Sequence, residues 1–249
     1  MILFPNAKIN IGLNVIKKRL DGFHDISSFF YPVKHLYDIL EVIPSSNYNF
    51  STSGIQINDN NNICTKAFNI LKQDFDLTNV SIHLHKQIPI GAGLGGGSAD
   101  GAFTLKALNT LFDLKLSACQ LQEYALKLGA DCPFFINNNA SYVYGIGDKM
   151  SKIDLDLSEF NFKFIFPKLQ ISTSEAYSSI TPMQPKTNLL ELINIPICDW
   201  KGKIKNDFEL DAFKKYSQLQ EYKQKFYSEG AIYSSMSGSG SVIYGIFKR

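Results

Sequence analysis

The segment Ile88–Asp100, reading IPIGAGLGGGSAD, constrains this chain more than any other. Glycine fills five of the seven positions from Gly91 to Gly97. Glycine loses more conformational freedom on folding than any other residue. A folded domain accepts such a run where backbone must turn tightly or approach a ligand closely. Ahead of it, Val80, Ile82 and Leu84 alternate with Ser81, His83 and His85, the pattern of a half-buried strand. Behind it, Ala102, Leu105, Leu108 and Leu111 form an apolar helical stripe, widened by Ala107 and Phe112. Ser98 falls where an N-cap or first-turn hydroxyl belongs. Strand, glycine loop and helix N-terminus in succession point free N–H groups and the positive end of a helix dipole at one place. The natural ligand is phosphate. A flexible linker is the bland alternative, and the apolar flanks and immediate helix argue against it.

Named phosphate motifs fit less well. Gly91-x-Gly93-x-x-Gly96 formally matches a dinucleotide fingerprint, with Asp113 near the distance of a ribose-binding acid, but no βαβ alternation surrounds it. A Walker loop is excluded because no Gly-Lys-Ser/Thr ends the run, and protein-kinase signatures are absent.

A length of 249 residues suits one large or two modest domains, and 45% apolar content is ordinary for a globular core. A net charge of +2 is too mild to argue for nucleic acid or a membrane surface. Cys64, Cys119, Cys132 and Cys198 are scattered without a Cys-x-x-Cys, which disfavours disulfides and zinc and suits a reducing compartment. The start, Met1–Asn10, has no apolar core behind a basic end, and no apolar run approaches a membrane span. The expectation is a soluble, cytoplasmic protein.

Ile9, Ile11, Leu13 and Val15 alternate with Lys8, Asn10, Gly12 and Asn14, which predicts a strand over 7–16 with Lys8 and Asn10 on its non-core face. Asp21-Gly22 marks a turn. Strands follow at 25–33 and 37–43, then a polar hairpin with long loops over 45–62. A helix is expected over 63–75, capped by the preceding asparagines. Ser117 and Gln120 form a capping box for a helix to Leu128, with Gly129 just beyond its end. A strand is expected over 141–144, and Gly145–Asp148 reads as the exit from a first domain. The second half shows a strand at 162–166, short helices over 172–177 and 188–193, and a longer helix from Asn206 to about Tyr227. A second glycine-serine loop, Met236–Ser241, precedes a last strand at 242–247.

Three segments, Pro5–Asn10, Pro89–Asp100 and Met236–Gly240, resemble in order and spacing the three motifs of the GHMP small-molecule kinases, among them galactokinase and the homoserine, mevalonate and phosphomevalonate kinases. The resemblance covers nearly the whole chain. It implies an α+β, two-domain GHMP kinase fold: a ribosomal protein S5 domain 2-like, ATP-binding and catalytic N-terminal domain over 1–148, and a ferredoxin-like, substrate-binding C-terminal domain over 149–249. The active site would lie in the cleft between them. Asp21-Gly22-Phe23-His24, Leu128–Pro133 and Asn206-Asp207 are similar to family members that phosphorylate a cytidine-diphosphate-linked alcohol of isoprenoid precursor biosynthesis. In these the Asp-Gly-aromatic-His turn holds cytosine.

The resemblance implies ATP and Mg²⁺ as cofactors. Pro89, Gly91, Gly93, Leu94, Gly95, Gly96, Gly97, Ser98 and Ala99 would bind ATP, with Ser98 near the metal. Lys8 would steady the acceptor hydroxyl and the transferring phosphoryl group. Without the motif it would read as a solvated edge lysine. Asp131 would act on the acceptor hydroxyl, paired with Lys8. Its bland reading is a turn or capping carboxylate, and the residues alone do not distinguish proton removal from orientation of the hydroxyl. Asn10, Phe23, His24, Tyr177, Gly238 and Ser239 would bind the acceptor. Phe23 can stack on a pyrimidine, His24 can hydrogen-bond its edge, and Tyr177 can close the other side. Phe23 stands where relatives carry tyrosine. Gly101 replaces a usual alanine, which predicts a helix start looser by roughly 0.5–1 kcal/mol. His83 and His85 share a strand face without a third ligand and read as solvent-facing. The expected partner is a small cytidine diphosphate substrate, with no nucleic acid or membrane, and the expected assembly is a monomer or weak homodimer. Another GHMP kinase such as homoserine kinase is argued against by the Asp21–His24 turn, and a non-catalytic nucleotide-binding regulator by the presence of Lys8 and Asp131.

Overall fold

A computed structural model describes residues 1–57 and 62–249. In chain order the strands and helices are β1 (Ile2–Leu3), β2 (Asn6–Lys18), β3 (His24–Tyr37), β4 (Ile39–Pro44), β5 (Asn49–Gly54), α1 (Ile63–Asp74), β6 (Val80–Lys86), α2 (Gly96–Leu111), α3 (Ala118–Leu128) and α4 (Cys132–Asn137). Then come β7 (Ser141–Gly145), β8 (Lys149–Lys152), β9 (Phe160–Ile165), α5 (Thr173–Ser179), α6 (Leu189–Leu192), α7 (Glu209–Lys215), α8 (Ser217–Ser228), β10 (Tyr233–Met236) and β11 (Ile243–Lys248). The fold is α+β.

The chain forms two compact units. The first comprises residues 1–8, 32–90 and 95–139; the second comprises 9–31, 91–94 and 140–249. The chain therefore changes unit within β2, within β3 and within the glycine loop.

The first unit holds a four-stranded sheet of order β1-β4-β6-β5. β4 runs antiparallel to β6, and β5 runs parallel to it, with Ser51 opposite His83 and Ser53 opposite His85. Val80, Ile82 and Leu84 are buried, and so are Cys64, Ala67, Phe68 and Leu71 of α1 and Ala102, Leu105 and Leu108 of α2. Fully burying each large aliphatic side chain contributes roughly 1.5–3 kcal/mol. Asn62 caps α1 by accepting from the Thr65 N–H at 2.8 Å. Ser117 and Gln120 close the capping box of α3.

The second unit holds the sheet of order β10-β11-β9, antiparallel throughout. Leu219 and Phe226 of α8 join Met236, Ile243 and Phe247 in its core, together with Leu13, Val15, Ile171 and Phe208. β2, β3, β7 and β8 form a further sheet in that order. β3 and β7 pair antiparallel, with Ile26 opposite Gly145 and Ser28 opposite Val143.

Several expectations change. The polar stretch after β4 is no hairpin of its own, because β5 joins β6 in parallel. Residues 58–61 of that stretch lie outside the described residues. Gly145–Asp148 forms the turn of the β7–β8 hairpin. The helix expected from Asn206 to Tyr227 breaks at Tyr216, where φ −131° and ψ 77° leave the helical region. Strand β2 is also more deeply buried than its alternation predicts. Lys8 and Asn10, on the polar phase, are only 3% and 2% exposed. A half-solvated strand would have left them in water.

Gly101 has a different role from the expected loosening of α2. A Cβ there would come 2.7 Å from Ile63 Cγ1 and 3.3 Å from Leu128 Cδ1. Glycine lets α1 and α3 close on α2.

Candidate active site

The helix after the glycine loop starts earlier than Ser98. Its N-cap is Gly95, at φ +68°, a left-handed conformation that glycine adopts without steric cost. As a glycine, it brings no side chain of its own to cap this end. The first-turn N–H groups of a helix have no intrahelical acceptor, so here they face whatever occupies the loop. Ser98 is thus a first-turn hydroxyl, and its interaction with the Cys132 thiol works to lower that thiol's pKa. Burial, the larger cause, pushes that thiol up to about 12, so it stays a neutral partner.

In the same unit, Lys8 Nζ lies 3.6 Å from Asp131 Oδ2. The Lys8 side chain is 4% exposed, whereas that of Asp131 is 34% exposed. Burial holds the Lys8 ammonium below the usual lysine range, and the Asp131 carboxylate opposes that shift. Asp131 reaches this place because α3 ends at Leu128, Gly129 follows with its N–H bonded to the Ala125 carbonyl, and Pro133 opens α4. Asp131 stands at the N-cap position of α4, yet its side chain makes no cap hydrogen bond. It faces Lys8 instead, so the bland capping role is not the one it plays. A Cβ on Gly95 would lie 3.0 Å from both Lys8 Cγ and Phe135 Cζ. The glycine loop and the Lys8–Asp131 pair are therefore neighbours.

In the second unit the remainder of the loop meets the other two motifs. Ser237 Oγ donates to the Gly93 carbonyl at 2.8 Å and accepts from the Asn10 N–H at 3.2 Å. Asn10 Nδ2 donates to Ser28 Oγ at 2.9 Å, and a Cβ on Gly238 would sit 3.3 Å from Asn10 Oδ1. Asn206 Nδ2 donates to the carbonyls of Met236 and Gly238, and Glu209 Oε1 accepts from the Met236 N–H and Ser235 Oγ. Asn206 thus shapes the Met236–Gly240 loop besides accepting from the Phe208 N–H.

Also in the second unit, His24 stacks on Tyr177, with centroids 4.9 Å apart and planes 25° from parallel. Tyr177 meets Phe208 edge-on at 4.9 Å. Burial, then the charge of Lys18, holds His24 below the usual histidine value, so it is neutral at pH 7. Phe23 stays outside this stack and is 59% exposed. Ser239 lines a cavity of about 490 Å³ with Ile171, Ala176, Phe208 and Tyr216.

Sequence reasoning missed Asp38 and Lys86, although a signal was present. Lys86 continues the phase of Val80, Ile82 and Leu84, a charge where the pattern calls for a core residue. It is buried, with Nζ bonded to Asp38 and Asp100. The sequence places Phe208 and Glu209 only within the start of a helix, with no sign of the roles they take here. His83 and His85 are not merely solvent-facing. Both nitrogens of His83 bond Ser51 and Ser53, and His85 bonds Ser53. Asp113 lies beyond the far end of α2, about 24 Å along a helix of 16 residues. There it pairs with exposed Lys115, which removes the dinucleotide reading.

Residues 62–139 match the family model described as the GHMP kinases N terminal domain, and residues 190–249 match the GHMP kinases C terminal model. The chain belongs to the GHMP kinase family. A protein of Azobacteroides pseudotrichonymphae genomovar. CFP2 named 4-diphosphocytidyl-2-C-methyl-D-erythritol kinase is 48% identical across all of this chain and 94% of its own length. A protein of Bacteroides fragilis with the same name is 46% identical, over 99% of this chain and 92% of its own. A crystal structure of 4-(cytidine 5'-diphospho)-2C-methyl-D-erythritol kinase superposes with a TM-score of 0.82 at 30% identity, covering 99% of this chain and 90% of that one. Homoserine kinase from Cytophaga hutchinsonii, at 17% identity and TM-score 0.70 over 98% of this chain and 85% of its own, shares the fold.

Proposed function

We propose that this chain transfers the γ-phosphoryl group of ATP to the 2-hydroxyl of 4-diphosphocytidyl-2-C-methyl-D-erythritol, in the non-mevalonate route to isoprenoid precursors. Full-length relatives of that name support the reaction. The observation that carries the site is the 3.6 Å pairing of buried Lys8 with half-buried Asp131 beside Gly95. Phosphoryl transfer asks a protein mainly for positioning and charge stabilisation. Pro89–Ala99 cradles the phosphates, with the first turn of α2 supplying N–H donors. Lys8 stabilises charge on the transferring group, and Asp131 orients the acceptor hydroxyl and takes its proton.

His24, Tyr177 and Phe23 hold the pyrimidine, while Asn10, Gly238 and Ser239 hold the rest of the acceptor. Neutral His24 can both donate to and accept from a pyrimidine edge, and the face of Tyr177 suits stacking. Magnesium ordinarily binds through substrate phosphates and one or two protein groups rather than an all-protein cage. Among the described residues no group of three or more His, Cys, Asp or Glu forms such a cage. The Ser98 hydroxyl in the first turn of α2 fits the single protein contact. The metal would neutralise charge on the ATP phosphates there.

The same reading carries a functional division into 1–148 and 149–249, supported by the two family matches falling on either side of it. It also carries a cytoplasmic location, a monomer or weak homodimer, and no nucleic-acid or membrane partner. Among the described residues no helix is long and apolar enough to cross a membrane.

The test is ADP formation from ATP with the cytidine-diphosphate alcohol, for the native chain and for Asp131→Asn. The variant keeps shape and hydrogen bonding but lacks the charge. Loss of general-base assistance is expected to lower kcat about 100- to 10,000-fold with the acceptor still bound. Native-like turnover in Asp131→Asn would end the catalytic assignment.

A further inference from the structure

We propose that Asp38, Lys86 and Asp100 form a positioning device that fixes both ends of the glycine loop. Lys86 is the last residue of β6, and its Nζ lies 2.5 Å from Asp38 Oδ2 and 2.8 Å from Asp100 Oδ2. The other oxygen of Asp38 accepts from the N–H groups of Gln87 and Ile88, at 2.6 and 2.8 Å. So the incoming end of the loop hangs from Asp38. Asp100 lies on α2, one turn past its start, so the outgoing end hangs from Lys86. The two ends touch as well, since a Cβ on Gly96 would lie 3.0 Å from Lys86 Nζ and 2.8 Å from Ile88 Cγ2.

Stability alone does not account for this cluster. The three side chains are 0–3% exposed, and Asp100 Oδ1 is buried without a hydrogen-bond partner among the described residues. Burying charges carries a desolvation penalty that well-packed apolar side chains avoid, and apolar replacement of such clusters is often neutral or stabilising. What apolar side chains cannot do is hold two backbone N–H groups and a helix turn at fixed points around one ammonium. Phosphate recognition by backbone N–H groups needs that fixity, because it relies on donors held in place before the ligand arrives.

The inference rests on the reading of the loop as the ATP phosphate site, and its test separates the two. The variants are Lys86→Met, Asp100→Asn, and the double variant Lys86→Met with Asp100→Leu, which leaves no lone charge on α2 and leaves Asp38 its bonds from the Gln87 and Ile88 N–H groups, while Asp100→Asn, which keeps the ammonium beside Asp38, guards against a failure to fold. The readouts are the Kd for ATP, the KM for ATP against kcat, melting temperature, and hydrogen exchange of the amides from Gln87 to Ala99 in the free protein. The folded double variant is expected to weaken ATP binding about tenfold or more, to raise KM for ATP more than it lowers kcat, and to speed amide exchange across the loop. Asp100→Asn keeps an acceptor for Lys86 and is expected to restore most of the affinity and the slow exchange. Native ATP affinity and native exchange in the folded double variant would overturn the inference, and so would an Asp100→Asn protein as impaired as the double variant. Native protein that binds ATP but leaves the cytidine-diphosphate alcohol unphosphorylated would overturn the proposed reaction only. If it bound no ATP, the phosphate reading would fall, and loop exchange alone would decide the triad.

Discussion

Lys8 is placed where its charge is costly. Burial lowers its pKa, so between that lowered value and 10.5 the unfolded chain binds more protons than the folded one. Stability contributed at this site therefore rises with pH across that window, and is lowest below it, where the folded protein must keep a buried ammonium. Lys8→Met should remove the rise. At pH 7 it should melt no lower than the native protein, because Asp131 is exposed enough to be solvated alone. Its turnover should nevertheless collapse. Melting curves against pH, paired with kcat, check both halves. A Lys8→Met protein that unfolds early and turns over normally would show the lysine to be structural. If Lys8 and Asp131 act on one transition state, their effects should also fail to add. Lys8→Ala combined with Asp131→Asn should be little worse in kcat than either alone. His24 offers a separate check. Its pKa lies below 6.5, so the acceptor KM should stay flat above neutrality and change only in acid. His24→Ala should raise the acceptor KM far more than the ATP KM. Equal losses for both would remove His24 from the pyrimidine site.

Among the elements, α2 and its loop were the most legible in sequence. Strand, glycine run and apolar stripe each follow from local chemistry. Ser98 takes the first-turn place, one of the two the sequence offers, because the cap is a backbone conformation of Gly95 that carries no side-chain signature. Gly95→Val should disable nucleotide binding. It forces a β-branched residue to φ +68° and presses on Lys8 and Phe135. Tight ATP binding by a folded Gly95→Val protein would contradict this. Gly101 shows the opposite case. Propensity alone says that alanine should tighten α2 by roughly 0.5–1 kcal/mol. Against Ile63 Cγ1 at 2.7 Å, overpacking costs typically about 1–3 kcal/mol and should win. Gly101→Ala is therefore expected to lower stability, as denaturant melts would show. Nothing in the local sequence reveals a contact with a residue 38 positions away. The same limit explains β5, whose parallel pairing with β6 is a tertiary choice, and the break at Tyr216, which no glycine or proline marks.

At the scale of the whole molecule, the family could be read from three short motifs because each has its own physical demand. The structure brings Gly93, Asn10, Ser237 and Gly238 together in one unit and Lys8, Gly95 and Asp131 together in the other. The His24–Tyr177 stack likewise joins residues that the sequence holds far apart. The supports were not legible in the same way. Asp38 and Glu209 accept from distant backbone N–H groups and Lys86 pairs with the carboxylates of Asp38 and Asp100, so they carry no motif, and Asn206-Asp207 entered the resemblance without revealing that Asn206 holds the Met236 and Gly238 carbonyls. Homoserine kinase from Cytophaga hutchinsonii shares the fold, so turnover, not fold, is what tests the choice of acceptor. The most direct measurement offers the native chain ATP with the cytidine-diphosphate alcohol, homoserine, mevalonate or galactose, and identifies each product by phosphorus NMR. The expected result is a new phosphomonoester on the cytidine-diphosphate alcohol, with the diphosphate linkage intact and little ADP from the other three. Equal turnover of any of those three, or ADP formation without a new phosphomonoester, would contradict it.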